Sequence, residues 1–222
     1  MSLEFWTVSG TPSPWRVALG MAFKGLDYDI NLLSAAQKEH KSDTYLAINP
    51  RGTVPTVTDG DTTLTQSVAI LAWLDRAYPA SPLFGQTPQD AGLIWQRSMD
   101  IFDHLPDATS GVLSPVFFGG ADEVTEELSM AREALQSELS QLTGILVDES
   151  FLSGLRPGAA DAVAFPHVRL LQRAMETKPK IMQALGMPDL VTLSAELADW
   201  VQRIEALPNV AATFPPHWAE AA

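Results

Sequence analysis

The sequence predicts two domains of different class: an α/β unit over residues 1–79 and an all-α unit over 89–222, joined by a linker at 80–88. Within the first 79 residues, strand-like and helix-like segments follow the order β-α-β-α-β-β-α, and beyond them the apolar residues recur at helical spacing. Between the two patterns lies a stretch of turn-forming residues, Pro79-Ala80-Ser81-Pro82 and Gly85-Gln86-Thr87-Pro88. With 222 residues, of which 46% are hydrophobic, the chain can bury a substantial core.

Leu3-Glu4-Phe5-Trp6-Thr7-Val8 is short, aromatic and β-branched, which predicts the first strand. Ser9-Gly10-Thr11-Pro12-Ser13-Pro14 is a loop cluster, and Pro14 suits the first turn of a helix, where its missing N–H costs nothing. That helix turns Val17, Leu19, Met21, Ala22 and Phe23 towards packing surfaces and stops near Gly25. Tyr28-Asp29-Ile30-Asn31-Leu32 alternates and predicts a second strand. A polar, helix-compatible stretch runs from Ala35 to about Ala47, and Asn49-Pro50-Arg51-Gly52 is a turn. Thr53–Thr58 is β-rich, Asp59-Gly60-Asp61 reverses the chain, and Thr62–Thr65 completes a hairpin. A helix begins near Gln66-Ser67, buries Val68, Leu71, Trp73, Leu74 and Tyr78, and ends at Pro79. In the second unit, Leu128, Ala131, Leu135, Leu139, Leu142 and Leu146 step by 3, 4, 4, 3 and 4, an amphipathic helix. Val163, Phe165, Val168, Leu171 and Met175 mark another, and Leu193, Leu197, Trp200, Val201 and Ile204 a third.

Composition excludes several functions. There is no cysteine, so disulfide staples, Cys-ligated metals and a thiol nucleophile of the protein's own are all ruled out. The net charge of −13 argues against nucleic acid or an anionic membrane as partner. That charge is uneven: residues 1–79 hold 6 basic and 8 acidic groups, and residues 80–222 hold 8 and 19. A small anion is therefore best accommodated in the first unit. No apolar run is long enough to cross a bilayer and no signal peptide is visible, so a cytoplasmic protein is expected. His40, His104, His167 and His217 are too scattered to form a metal face, and no metal is expected.

Two loops stand out chemically. A hydroxyl residue, Thr11 or Ser13, opens the first helix, where unpaired N–H groups and the dipole favour an anion; the same hydroxyl can equally serve as a simple cap. Val54-Pro55 precedes a strand, and a cis bond there would present the backbone of Val54 to a ligand.

Taken together, five segments resemble the cytosolic glutathione transferase family: Thr11-Pro12-Ser13-Pro14-Trp15-Arg16-Val17, Glu39-His40-Lys41-Ser42, Asn49-Pro50-Arg51-Gly52-Thr53-Val54-Pro55, Gln66-Ser67-Val68-Ala69-Ile70 and Gly158-Ala159-Ala160-Asp161. The resemblance implies a thioredoxin-like N-terminal domain, a helical C-terminal domain and a homodimer. It implies that Gln66 and Ser67 hold the γ-glutamyl end of glutathione, that Val54 pairs with the cysteinyl part ahead of a cis Pro55, and that Lys38, His40, Lys41 and Arg51 meet the glycyl carboxylate. Thr11, five residues before Arg16, takes the place of the residue that faces the thiol, with Ser13 in reserve. Arg16 is expected to brace the domain. Asp161 implies a helix-capping box whose usual hydroxyl is replaced by Gly158. The second substrate would be an apolar electrophile held by Trp15, Val112, Leu113, Val116, Phe117, Phe118, Phe214 and Trp218.

The chemistry is consistent with these roles. A chain without cysteine must receive its thiolate with the ligand. A free thiol with a pKa of about 8.5 is only a few per cent ionised at neutral pH. A hydroxyl hydrogen bond to the anion is worth about 1.5–3 kcal/mol and a helix N-terminus about 0.3–1, which together suffice to lower it by roughly two units. The expected activity is a detoxifying transferase reaction on a small electrophile. Alternatives are a glutathione-dependent isomerase of the maleylacetoacetate type, a disulfide reductase using bound glutathione, and a non-catalytic interaction module of the same fold.

Overall fold

The computed structural model describes residues 3–221. The chain forms two compact units: residues up to Phe84 together with those from Leu207 onward, and Gly85–Ala206.

The first unit is a four-stranded mixed sheet in the order β2-β1-β3-β4, with β1 Glu4–Thr7, β2 Asp29–Leu32, β3 Thr56–Asp59 and β4 Thr62–Thr65. Helix α1, Pro12–Lys24, is nearly all buried and stops where Gly25 adopts the left-handed conformation (φ 65°) that a residue with a Cβ adopts at a cost. Helix α3, Ser67–Ala77, packs on α1 so closely that a Cβ at Gly20 would collide with Leu71. This is the thioredoxin-like arrangement expected.

The polar stretch expected as one helix from Ala35 to Ala47 is broken instead into a 3₁₀ turn, Glu39–Lys41, and a one-turn α2, Asp43–Leu46. Local bonds win over the helical ladder. The Ser34 N–H donates to Glu39 Oε2 (2.6 Å), Lys38 is left-handed (φ 55°), and Ser42 Oγ caps α2 by accepting from the Tyr45 N–H.

The stretch at 80–88 is tied down despite its linker-like composition. Lys24 Nζ donates to the carbonyls of Ala80 (3.0 Å) and Ser81 (2.9 Å), and Asp75 Oδ1 accepts the N–H groups of Leu83 and Phe84. Burial lowers the pKa of Lys24, against the attraction of Asp75.

The second unit is all helix: α4 Pro88–Phe117, α5 Glu126–Leu146, α6 Ala159–Thr177, α7 Pro179–Ala184, α8 Leu190–Leu193 and α9 Ala195–Glu205. The leucine stripe of α5 is buried as expected. The 30-residue α4 had no counterpart in the expected elements. It begins with a capping box, in which Thr87 Oγ1 accepts the Asp90 N–H and Asp90 accepts the Thr87 N–H. At the start of α6, Asp161 accepts the N–H of Gly158 (3.0 Å), but Gly158 has no hydroxyl to return the bond. Ser153 supplies it from outside the helix: its Oγ accepts the N–H of Ala160 at 3.2 Å. Asp161, fully buried, also accepts from the N–H groups of Leu152 and Ser153 and from Trp200 Nε1. Burial pushes its carboxyl up, and those hydrogen bonds oppose the rise.

Candidate functional site

Strand register gathers four loops at one end of the sheet. β1 runs parallel to β2, with Thr7 opposite Leu32, and antiparallel to β3, with Trp6 opposite Thr56. β3 is antiparallel to β4, with Thr56 opposite Thr65. The C-terminal ends of β1, β2 and β4 therefore meet the N-terminal end of β3. The chain after β1 carries Thr11 and Ser13, and the chain after β2 carries Lys38, His40 and Lys41. The chain entering β3 carries Arg51, Val54 and Pro55, and the chain leaving β4 carries Gln66 and Ser67.

Neither Thr11 nor Ser13 caps α1: no side chain bonds its first turn and no acidic residue stands in it. Thr11 Oγ1 instead donates to the Val8 carbonyl at 3.0 Å. Pro12 and Pro14 have no N–H, and the Trp15 N–H bonds the Thr11 carbonyl, so the Ser13 N–H is the donor left at this terminus.

Tyr45 and Asn49 set the loop into β3. Tyr45 Oη donates to the Thr53 carbonyl (2.6 Å), which also accepts from Asn49 Nδ2 (2.7 Å). The Val54–Pro55 bond that follows is cis. Among the described residues, neither the N–H nor the C=O of Val54 has a hydrogen-bond partner. Gly52 is left-handed (φ 56°) and lies against the β2–β3 connection; a Cβ there would come within 2.7 Å of the His40 carbonyl. Lys41 Nζ donates to the carbonyls of Gly52 (2.7 Å) and Arg51 (3.3 Å), which leaves one of its three N–H groups for a ligand. His40 Nδ1 is buried without a hydrogen-bond partner among the described residues. Lys38 and Arg51 are exposed.

Helix α3 opens without a side-chain cap, and the residue at its mouth, Gln66, has φ 70° and ψ 108°. A non-glycine residue held there costs about 1–3 kcal/mol and is typical of ligand clamps. Ser67 is buried and its Oγ accepts from Arg16 Nη1 at 2.7 Å, so the hydroxyl proton is free to point elsewhere. Burial lowers the Arg16 pKa to about 10, which leaves it charged at neutral pH. Arg16 thus braces α1 to α3, as expected.

The C-terminal tail belongs to this same unit. Trp15 Nε1 donates to Thr213 Oγ1 (2.9 Å), and the Trp15 ring meets Phe214 and Trp218 edge-on, with centroids 5.2 and 5.3 Å apart. Ser9 Oγ and His217 Nδ1 are 3.0 Å apart. The sequence pointed to Phe214 and Trp218 in the tail but assigned no role here to Ser9, Thr213 or His217, which are brought to this site by hydrogen bonds over about two hundred residues of chain. In the other unit Leu113 and Phe117 lie in α4 and Phe118 follows its last residue; Leu113 is buried, Phe117 half-buried and Phe118 89% exposed. Among the described residues, no cluster of three His, Asp or Glu could hold a metal ion, and no helix is long and apolar enough to cross a membrane.

Known proteins resemble this chain in sequence and in fold. Residues 11–77 match the family described as Glutathione S-transferase, N-terminal domain. A maleylacetoacetate isomerase of Pseudomonas aeruginosa is 30% identical over 83% of this chain and 90% of its own length. The bovine (Bos taurus) glutathione S-transferase theta-1 is 30% identical over 82% of this chain and 73% of its own. The crystal structure of a glutathione S-transferase from the Antarctic clam Laternula elliptica superposes with a TM-score of 0.84 at 28% identity, covering 99% of this chain and 95% of that one. The chain belongs to the cytosolic-type glutathione S-transferase family.

Proposed function

We propose that the protein binds glutathione at the gathered loops and transfers its thiolate to a small apolar electrophile. What supports this is the combination, at one end of the sheet, of two uncapped helix N-termini and an unpaired Val54 backbone in a chain that has no thiol of its own. The γ-glutamyl carboxylate sits at the mouth of α3, where it accepts from the Ser67 hydroxyl and the backbone N–H groups, and Gln66 Oε1 accepts from the ammonium. The cysteinyl N–H and C=O complete the two vacant bonds of Val54. The glycyl carboxylate meets Lys41, His40 and, at longer reach, Lys38 or Arg51. This leaves the thiol at the start of α1, beside Thr11 and the Ser13 N–H. The thiol proton passes to solvent, and the thiolate then adds to the electrophile, the resulting carbanion taking a proton back from water, or displaces a leaving group that departs to solvent as its anion. A homodimer and a cytoplasmic location belong to the same proposal.

A second reading, a glutathione-dependent isomerase, is favoured by the Pseudomonas aeruginosa relative. By that reading the substrate is an acidic enedione, to which the thiolate of bound glutathione would add, the resulting single bond would rotate, and the thiolate would be expelled again. Millimolar glutathione with a panel of uncharged electrophiles and cis-enedione acids separates the two. Conjugates released from the uncharged set support transfer, and turnover of the acids without consumption of glutathione supports isomerisation. Failure to bind glutathione removes both and leaves an interaction module.

A further inference from the structure

The C-terminal tail brings an imidazole beside Thr11. His217 lies over Gly10, the residue before Thr11: a Cβ at Gly10 would come to 3.0 Å from His217 Cε1 and 3.5 Å from Nε2, and Gly10, left-handed (φ 79°), has none. The ring is held from two sides. Ser9 Oγ stands 3.0 Å from Nδ1, and Trp218 meets the imidazole edge-on while packing edge-on against Trp15. His217 is exposed, and among the described residues nothing hydrogen-bonds Nε2 and no charged side chain pairs with the ring. Nε2 is thus open both to water and to a ligand beside Thr11.

We propose that His217 is the general acid for addition of the glutathione thiolate to α,β-unsaturated carbonyl compounds, carrying a proton from water to the carbanion. This rests on the transferase reading above. Imidazole is the one side chain whose ordinary change of charge falls between about pH 5 and 8, so it can both give a proton to a carbanion and take one back from water. The thiolate sulfur bonds the β-carbon, the C=C π pair shifts to the α-carbon and its carbonyl, and the Nε2–H of the imidazolium protonates the α-carbon. The neutral ring that remains has its proton on Nδ1, where Ser9 Oγ accepts it. Its bare Nε2 takes the next proton from solvent, to which the thiol has released one. Ser9 therefore positions the ring and holds the tautomer whose basic nitrogen faces the substrate. Protonation also decides the product. A protonated carbanion leaves as the conjugate, whereas an unprotonated one is free to rotate and expel the thiolate. Substitution on a haloarene ends in loss of halide, which needs no proton, so His217 divides the two reaction types.

The test compares two uncharged electrophiles, benzylideneacetone for addition and chlorodinitrobenzene for substitution, in the wild type and in His217→Gln and His217→Ala. The side chain is exposed, so the variants fold, which a thermal melt verifies. The expected result is a fall of about 10-fold or more in the ratio of kcat for the enone to kcat for the arene, since a positioned acid contributes at least that much. Exogenous imidazole should raise the ratio again in His217→Ala and not in the wild type. Ser9→Ala, which frees the ring without removing it, should lower the ratio less, and Ser9→Thr should keep it. A ratio unchanged in both His217 variants, even with both rates reduced together, would make His217 a tether of the tail and overturn the proposal while leaving the transferase reading intact. A wild type that conjugates the arene but not the enone overturns it in the same way. A wild type that conjugates neither loses the transferase reading and the proposal together.

Discussion

Replacing Thr11 by valine removes one hydroxyl while keeping the shape of the side chain, and its effect on the glutathione thiol can be worked out from the structure. Thr11 has a single hydroxyl proton, and that proton is donated to the Val8 carbonyl at 3.0 Å. To serve a thiolate it must leave that carbonyl, which gives up a neutral hydrogen bond worth about 0.5–1.5 kcal/mol for one to an anion worth about 1.5–3. The net, about 1–1.5 kcal/mol, is close to one pKa unit. The α1 terminus adds about 0.3–1 kcal/mol, but Pro12 and Pro14 thin its donors, so the low end applies. The bound thiol should then titrate at about 7.4 in the wild type and about 8.3 in Thr11→Val, against a free value of about 8.5. At pH 7 the ionised fraction falls roughly sixfold. Thiolate absorbance in the ultraviolet, titrated on the glutathione-saturated protein, reads this directly, and the pH profile of kcat should move with it. Thr11→Ser should restore the wild-type value, and Ser13→Ala should leave it unchanged. If Thr11→Val titrates like the wild type while Ser13→Ala rises by a unit, the hydroxyl has been assigned to the wrong residue.

Three further outcomes follow from bonds elsewhere. Ser153→Ala removes the cap that Gly158 cannot provide and should destabilise the protein by about 0.5–2 kcal/mol, read as a lower urea midpoint at constant slope. Asp161→Ala strands the N–H groups of Leu152, Ser153 and Gly158 and the Trp200 indole, each at about 1–3 kcal/mol. It should leave little folded protein, and a melting temperature within a few degrees of the wild type would refute the role given to that carboxylate. Arg16→Met breaks the 2.7 Å bond that orients Ser67 and should raise the KM for glutathione several-fold more than it lowers kcat, because the γ-glutamyl end is bound equally in ground and transition states.

Much of this could be read from local sequence. The Asp59-Gly60-Asp61 turn, the arrest of α1 at Gly25 and the leucine stripe of α5 are each decided by residues within a few positions of one another, through left-handed glycine geometry or helical spacing. The 30-residue α4 escaped notice because Pro106 and Pro115 interrupt its pattern, although its Thr87-Pro88-Gln89-Asp90 start is a legible capping box. Ser34, Glu39 and Ser42 broke an expected helix through side-chain bonds to backbone that a periodicity does not register.

By itself, the order of residues determined most of the element types, the absence of a thiol nucleophile, and the basic and hydroxyl side chains from which the proposed glutathione site is built. Only the tertiary structure decided where they meet. A parallel pairing of β1 with β2 and antiparallel pairings of β1–β3 and β3–β4 bring four loops to one sheet end, and strand pairing over tens of residues leaves no trace in any single window. The same holds for Ser153 closing the α6 cap from outside the helix, and for the tail packing on Trp15, since a hydrogen bond or an aromatic contact is set by distance in space.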